Sequence, residues 1–235
     1  MAHEYGGMMV KQAQFETDVI RTSDGPLEIT FLGHGTLMLA FGGLTIHVDP
    51  YSDVADYAQL PKADVVLVTH EHSDHLDLDA LAKIRTPQTE IVLNEAGAEE
   101  VGGGLVMHNG DAQVVKGLQI EAAPAYNIIH KRSNGQPFHP KGAGNGYVIT
   151  CGDTRVYIAG DTEAIPEMEH LADIAVAFLP MNLPYTMTPE MAAQAALAVG
   201  ARIVYPYHYG STDPSKLVSL LSARKDIEVR IRKMA

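Results

Sequence analysis

The 235-residue sequence has a single cysteine and no tryptophan. One cysteine excludes an intramolecular disulfide, and the place of Cys151 in the apolar run 147–151 predicts a buried thiol that is neither a nucleophile nor a metal ligand. Without disulfides the fold depends on a packed core, and a chain of this length can bury roughly 70% of its unfolded surface.

Basic residues are scarce, with 17 Lys and Arg against 29 Asp and Glu. They form no contiguous stripe, which argues against a nucleic-acid partner because phosphate-backbone binding requires a cationic surface. Long apolar runs are also missing: no segment approaches the ~18 residues of a membrane span, and the N-terminal residues lack the layout of a secretory signal. We therefore expect a cytoplasmic protein without a nucleic-acid or membrane partner, although an exported precursor trimmed of its signal would look the same. Self-association into a homo-oligomer stays open.

Three histidines and an aspartate follow one short apolar run. Val65–Val68 is β-branched and bounded by charges, which predicts a buried strand. Imidazole and carboxylate are ligands that Zn²⁺ prefers. His70 and His72 lie two apart and project the same way if the strand continues. Asp74 and His75 can face a second point nearby, so the cluster predicts two divalent ions.

Two later apolar runs also end in residues that can bind metals. Residues 156–159 lead into Gly160, Asp161 and Thr162, where the glycine would let the backbone come close to an ion, and residues 203–207 lead into His208. Since strand ends can converge at one rim, Asp161 and His208 are candidate ligands for the same centre.

Three further residues stand at turns where they could serve the site. His34 lies between two glycines, where the backbone can bend tightly and present the imidazole as a catalytic group; a turn histidine without a role is the alternative. Asp49 ends a predicted strand and could orient a ligand histidine by accepting its hydrogen bond, or could simply form the turn. Tyr185 follows another apolar strand and could donate a hydrogen bond to a developing oxyanion, or merely pack.

The longest stretch without periodicity runs from residue 124 to residue 146 and contains no Asp or Glu. Long irregular loops in compact domains are usually functional or disordered. Its ionisable residues are His130, Lys131, Arg132, His139 and Lys141. In so acidic a chain this composition predicts a lid that binds an anionic substrate through Lys131, Arg132, Lys141 and His139; a solvated loop is the alternative.

The His-x-His-x-Asp-His pattern after a strand resembles the metal motif of the metallo-β-lactamase superfamily, in its binuclear hydrolase form. Redox-active members typically have a glutamate where His72 stands, so the resemblance implies hydrolysis. The short chain and the segments 32–35 and 185–187 are most similar to the branch that contains the ascorbate-phosphate lactonases. The resemblance runs from about Ile29 to the C-terminus.

The order of predicted elements agrees with the fold that this resemblance implies. Strands, a helix and strands occupy the first ~125 residues, and the remainder repeats that order. We expect an α/β (α+β) four-layer αββα sandwich. Residues 1–26 would form an N-terminal extension with an edge strand near residues 15–21, and residues 27–235 one domain with halves at about 27–125 and 126–235.

The resemblance also implies a ligand set. His70 and His72 would bind the first ion, Asp74, His75 and His208 the second, and Asp161 would bridge them. Relatives commonly supply one more histidine near residue 125, where this sequence has Asn127, a poor zinc ligand.

The missing ligand has several candidates. Either His139 or His130 reaches the first ion from the loop, or the ion is held without a further protein ligand; Asn127 itself stays open. We favour His139, because Pro137 and Pro140 keep its backbone extended.

The function that follows is a small-molecule hydrolase in which a hydroxide held by two divalent ions, Zn²⁺ or alternatively Mn²⁺, cleaves an anionic lactone or ester. A phosphodiesterase acting on a nucleotide or a phospholipid head group is the alternative enzyme. A non-catalytic metal-binding or sensing module is the alternative of another class. Asp74 and Asp161 weigh against it, because catalysis needs them and zinc storage does not.

Overall fold

The computed structural model describes residues 15–235 and contains two seven-stranded sheets. Residues 1–14, part of the expected N-terminal extension, lie outside the described residues. The first sheet contains, in spatial order, β1 (Glu16–Thr22), β2 (Gly25–Gly33), β3 (Thr36–Phe41), β4 (Leu44–Val48), β5 (Val65–Leu67), β6 (Glu90–Leu93) and β7 (Leu105–Val106). The second contains β8 (Ala112–Val115), β9 (Leu118–Ala125), β10 (Gly144–Cys151), β11 (Thr154–Ile158), β12 (Ile174–Pro180), β13 (Ile203–Tyr207) and β14 (Glu228–Val229), again side by side in chain order.

Four α-helices and one short 3-10 helix complete the described chain: α1 (Leu78–Ile84), α2 (Glu95–Val101), the 3-10 helix Pro166–His170, α3 (Pro189–Val199) and α4 (Ser215–Leu220). The side chain of Asp77 accepts hydrogen bonds from the first backbone amides of α1, and Thr188 does the same for α3, whose first residue is Pro189. Such caps stabilise a helix by about 1 kcal/mol each. None of the helices within residues 15–235 is long and apolar enough to cross a bilayer.

Each sheet is antiparallel in one part and parallel in the other. Strands β1 to β4 and β8 to β11 pair antiparallel, whereas β4 to β7 and β11 to β14 pair parallel. The central parallel strands β5 and β12 are buried along their whole length, as expected for strands covered on both faces. The carboxyl ends of the parallel strands therefore form one edge in each sheet, where ligands commonly bind.

Three separate apolar layers show how the sheets and helices stack. One lies between the sheets and includes Leu39 and Ile46 from the first sheet with Ile149 and Phe178 from the second. Another covers the outer face of the second sheet under α3, and a third covers the outer face of the first sheet under α1. The three apolar layers lie between four layers of secondary structure: helices, the first sheet, the second sheet and helices. The predicted αββα sandwich is therefore confirmed.

Two features at the margins of the sandwich follow from local chemistry. Strand β1 lies at the edge of the first sheet, and its Asp18 accepts from Arg232 at 2.7 Å, which ties this edge to the C-terminal segment. Cys151 is fully buried between the sheets, and burial raises the pKa of its thiol to about 12. The thiol therefore stays protonated, as predicted for an inert core cysteine.

Candidate metal centre

The predicted ligands meet at the rim between the two sheets. Their ligand atoms form groups in which all atoms lie within 4.8 Å of one another. We call His70, His72 and His139 the first cluster, and His34, Asp74, His75 and His208 the second cluster.

Asp161 stands between the two clusters and faces both. Its Oδ2 lies 3.3 Å from His139 Nε2, and its Oδ1 lies 3.5 Å from both His75 Nε2 and His208 Nε2. One carboxylate thus presents a different oxygen to each cluster. This arrangement would suit a carboxylate shared by two ions.

Gly160 brings Asp161 to this position, for a reason that differs from the sequence interpretation. We expected the glycine to let the backbone approach an ion. Instead, a Cβ at this residue would lie 2.8 Å from the Asn145 carbonyl oxygen and 3.0 Å from Thr69 Cβ, and φ is +65°. Only glycine accommodates both the close packing of the two halves and this left-handed backbone.

Asp49 orients His75 of the second cluster. Its side chain is fully buried and accepts hydrogen bonds from the Thr69 amide at 2.7 Å and hydroxyl at 2.7 Å. The Nδ1 atom of His75 lies 2.8 Å from the same carboxylate, so Nε2 turns toward the site. This is the position expected for a residue that orients a ligand histidine.

Three buried atoms of the centre fit a divalent cation. His75 Nε2, His208 Nε2 and Asp161 Oδ1 have no hydrogen-bond partner within residues 15–235. Buried polar groups are nearly always paired, and imidazole nitrogens with carboxylate oxygens are the donors that Zn²⁺ takes. The residues present therefore suit the ion that the fold implies.

The loop between β9 and β10 brings His139 to the first cluster. Its imidazole is buried, with Nδ1 lying 2.8 Å from Asn127 Oδ1. The other two candidates for this place point elsewhere: His130 Nδ1 faces Glu163 at 2.7 Å, and the Asn127 amide nitrogen donates to Glu163 and to the Tyr185 carbonyl.

His34 lies within the second cluster rather than at its border. Its Nε2 is 3.0 Å from Asp74 Oδ2, and its ring centroid is 3.7 Å from that of His208. The next residue, Gly35, leaves room for this packing, because a Cβ there would lie 3.1 Å from the His75 ring. Sequence reasoning offered His34 as a catalytic residue, and the structure adds that it is placed to bind an ion.

The electrostatics suit cation binding. Burial lowers the pKa of His70 well below its ordinary value and that of His139 to about 4, so both are neutral at pH 7. Burial would also lower the pKa of His75, but the carboxylates of Asp161 and Asp49 outweigh it and raise the pKa to about 9. Burial would raise the pKa of Asp161, yet the neighbouring imidazoles hold it well below its usual range. At pH 7 the centre thus combines ionised carboxylates with neutral imidazoles at His70 and His139, whereas His75 must lose a proton before it binds a cation.

The clusters open into a cavity of about 410 Å³. Its lining residues are His72, Ser73, Asp74, Arg132, Phe138, His139, Asp161, Asn182, Tyr185 and His208. Arg132 donates to the Phe138 carbonyl at 3.2 Å and lies 5.2 Å from the Phe138 ring, which in turn packs against the Tyr185 ring at 5.0 Å. An arginine and two aromatic rings therefore form one wall.

The other two predicted substrate-binding cations do not line this cavity. Lys141 forms an ion pair with Glu167 at 2.6 Å and also contacts the Tyr126 hydroxyl. Lys131 is exposed and forms a β-bridge with Pro137 within the loop. The structure brings only Arg132 of the three to the centre, since Glu167 of the 3-10 helix captures Lys141.

Sequence reasoning missed several residues of the site. Asn182 lies at the end of β12, and its side-chain amide is 3.3 Å from His208 Nδ1. Its position just after a parallel strand, where ligands commonly bind, could have identified it as a site residue. Glu163 follows Asp161 by two residues and organises the loop that carries His139, a role that no local pattern indicated.

Comparison with known proteins agrees with this geometry. A family model described as a β-lactamase superfamily domain matches residues 28–208. A UPF0173 metal-dependent hydrolase of Methanoculleus marisnigri is 33% identical over 208 residues, which cover 86% of this chain and 89% of that protein.

Solved structures extend the comparison. A protein of Parabacteroides distasonis, provisionally described as a metal-dependent hydrolase, is 47% identical with a TM-score of 0.90, and the match covers 94% of this chain and 100% of that one. A metallo hydrolase of Ignicoccus hospitalis shares the fold at 24% identity and a TM-score of 0.72, with 87% and 94% of the two chains covered. Because the family model spans most of the chain and these relatives align over most of their own length, the protein is a metal-dependent hydrolase that belongs to the metallo-β-lactamase superfamily.

Proposed function

We propose that the protein hydrolyses a small anionic lactone or ester at a centre of two divalent ions, with Zn²⁺ preferred and Mn²⁺ the alternative. The observation that carries this proposal is the position of Asp161, which presents one oxygen to each of two ligand clusters. A single-ion site would not need a second group of ligand atoms on the far side of the same carboxylate.

The residues divide between the two positions. His70, His72 and His139 would hold one ion. His75 and His208, with Asp74 or His34, would hold the other, and Asp161 would bridge. Two bound ions supply an activated water at neutral pH and polarise the group under attack.

Asp74 is the residue best placed to orient the attacking water. It lines the cavity, and its side chain is partly exposed on that side. Burial would raise the pKa of Asp74, but the neighbouring imidazoles of His208 and His34 hold it well below its usual range. The carboxylate is therefore ionised at neutral pH and can accept a hydrogen bond from water, while His34 keeps it in place.

The cavity wall favours an anionic substrate. Arg132 makes no ion pair with any carboxylate within residues 15–235, so guanidinium N–H groups remain free to bind a carboxylate or phosphate. Phe138 and Tyr185 offer apolar surface beside it, and the Tyr185 hydroxyl could donate to a developing oxyanion. The volume of about 410 Å³ suits a small molecule.

The same wall favours one competing function. A phosphodiester would also pair with Arg132, and two ions can clamp an in-line displacement at phosphorus. Phosphodiesterase activity on a nucleotide or a phospholipid head group is therefore the second candidate.

A substrate panel with defined metal loading tests the proposal. Metal-free protein would be loaded with Zn²⁺ or Mn²⁺ and assayed against anionic lactones, neutral lactones, carboxylate esters and bis-p-nitrophenyl phosphate. We expect two equivalents of metal per chain, preference for anionic lactones or esters, and a loss of about 10²- to 10⁴-fold in kcat for Asp74→Asn.

The outcomes separate the candidates. Turnover of the phosphodiester alone would replace the proposed reaction with the second candidate. Binding of one equivalent would contradict the two-ion centre. Failure on every substrate, with Asp74→Asn binding metal and ligand as well as the parent, would identify a non-catalytic binding module.

A further inference from the structure

Glu163 is a fully buried carboxylate that the proposed chemistry does not use. Its Oε2 accepts from the amides of Ile128 and Ile129, both at 2.7 Å. Its Oε1 accepts from the His130 amide at 2.6 Å and from the Asn127 side chain at 3.1 Å, and His130 Nδ1 lies 2.7 Å away. Four consecutive residues of the loop thus converge on one side chain from another strand end.

The contacts of Asn127 fix the orientation of its own amide. Its Nδ2 donates to Glu163 Oε1 at 3.1 Å and to the Tyr185 carbonyl at 2.8 Å. Both of these oxygens can only accept when Glu163 is ionised, so the amide nitrogen must face them. Oδ1 therefore points the other way, toward His139.

The orientation of Asn127 in turn fixes the tautomer of His139. Oδ1 accepts from the His139 backbone amide at 2.8 Å and lies 2.8 Å from Nδ1. An amide oxygen only accepts, so Nδ1 carries the proton. Nε2 is left with its lone pair, 3.3 Å from Asp161 Oδ2 and within the first cluster.

We propose that Glu163 and Asn127 form a positioning relay that holds the Nε2 lone pair of His139 toward the first ion. Glu163 anchors the loop and turns Asn127, and Asn127 sets both the place and the tautomer of His139. The relay rests on the proposed function only in requiring an ion at the first cluster. A loop residue can then replace a ligand that would otherwise come from the strand end at residue 127.

The alternative is that Glu163 merely closes the loop, and the chain offers a matched control for it. Glu167 lies four residues further on and holds the same loop at both ends, through the Tyr126 hydroxyl at 2.9 Å and through Lys141 at 2.6 Å. The variant Glu167→Gln loosens the loop without touching Asn127 or His139. Its effect on the His139 tautomer and on metal binding therefore shows what loosening of the loop does by itself.

The first readout needs no metal. Histidine ¹⁵N NMR of the chelator-treated full chain, assigned with His139→Ala, reports which ring nitrogen carries the proton. We expect the Nδ1–H form of His139 in the parent and in Glu167→Gln. We expect loss of its predominance in Asn127→Leu and Glu163→Gln. An Nε2–H form in the parent, or an unchanged tautomer in both relay variants, would overturn the relay.

The second readout is the binding of Zn²⁺, measured by calorimetric titration, with Co²⁺ absorption spectra for each equivalent. We expect Asn127→Leu and Glu163→Gln to weaken one equivalent by about 10- to 100-fold and to leave the other unchanged. Glu167→Gln should match the parent at both. Thermal unfolding of the metal-free variants would show whether weaker binding merely follows from lower stability of the fold. In that case the affinity for both equivalents would fall together.

His139→Ala separates failure of the relay from failure of the proposed function. If His139→Ala loses one equivalent and Asn127→Leu keeps both, the relay is wrong and the ligand assignment stands. If His139→Ala keeps both equivalents, His139 is not a ligand and the relay has nothing to position. If the parent itself binds a single equivalent, the two-ion function fails whatever the tautomer shows.

Discussion

The two clusters of the metal centre lie side by side, yet they are built in different ways. In the second cluster, the amide of His208, just after β13, donates to the carbonyl of His34 at 2.9 Å, and buried Asp49 orients His75. The first cluster takes His70 from the end of β5 but His139 from the loop 126–143. The second position is therefore held by a backbone contact between two strand ends and by a buried carboxylate, whereas the first depends on side-chain contacts of a loop. We expect substitutions in the second cluster to lower the stability of the fold more than substitutions in the first.

Asp161→Asn should have the largest effect, because it removes the one group that both clusters share. An amide binds divalent ions weakly, so we expect the affinity for each equivalent to fall by at least roughly 100-fold, beyond the range seen for residues that only orient ligands. Calorimetric Zn²⁺ titration measures this. Loss of only one equivalent would show that the clusters do not share Asp161.

His208→Ala compared with His139→Ala tests the difference in construction directly. Each should abolish one tight equivalent, but His208→Ala removes an imidazole from beside both Asp74 and Asp161, whereas His139→Ala removes one from beside Asp161 alone. We therefore expect His208→Ala to lower the free energy of unfolding, by roughly 1–3 kcal/mol, and His139→Ala to lower it less. Urea unfolding of the metal-free proteins is the measurement. Equal losses would contradict the distinction between a sheet-held and a loop-held position.

The pH dependence of metal binding should differ between the clusters. His75 has a pKa of about 9 in the metal-free protein, so below pH 9 a cation at the second cluster must displace a proton. Its affinity should fall by up to about tenfold per pH unit as the pH drops from 9 to 6. His139 is neutral above its pKa of about 4, so it adds no such dependence at the first cluster over that range. Titration in buffers of different ionisation enthalpy counts the protons released; the same count for both equivalents would contradict the comparison.

Arg132→Leu should have a smaller effect, confined to substrate binding. The loss of one charge-assisted contact predicts an increase in KM for anionic substrates of about 10-fold or more, with metal binding unchanged. Lys141→Ala is the control, because Lys141 pairs with Glu167 outside the cavity. A rise in KM for Lys141→Ala equal to that for Arg132→Leu would restore Lys141 as a substrate-binding residue.

Particular residues show which features of the fold and of the site could be predicted from the sequence. Apolar runs such as Val65–Val68 and 203–207 predict buried strands because a short apolar run is stable only when it is buried. The candidate ligands follow directly after these runs, so their place at the strand ends could be predicted as well. Caps such as Thr188 are equally local. These signals were sufficient for the fold class, and they placed His70, His75, Asp161 and His208 at neighbouring strand ends; His139, which lies in the loop, did not follow from them.

The features that could not be predicted depend on contacts between segments that are distant in the sequence. Asn127 meets Glu163 across 36 positions, and Lys141 meets Glu167 across 26, and no periodicity encodes either pairing. The short last strand shows the same limit: apolar and charged residues alternate over 227–231, but β14 is only Glu228–Val229, because it pairs with only Ile203 and Val204 of β13.

The packing of Gly160 has a consequence for the spacing of the two clusters. At this point the halves are in direct contact, since the Asn145 amide donates to the Thr69 carbonyl at 2.8 Å and no space remains for a Cβ at residue 160. A single added methyl group would act as a wedge there and push Asp161 away from His70 and His75. The distance between the two ligand clusters is thus set by an atom that the chain omits.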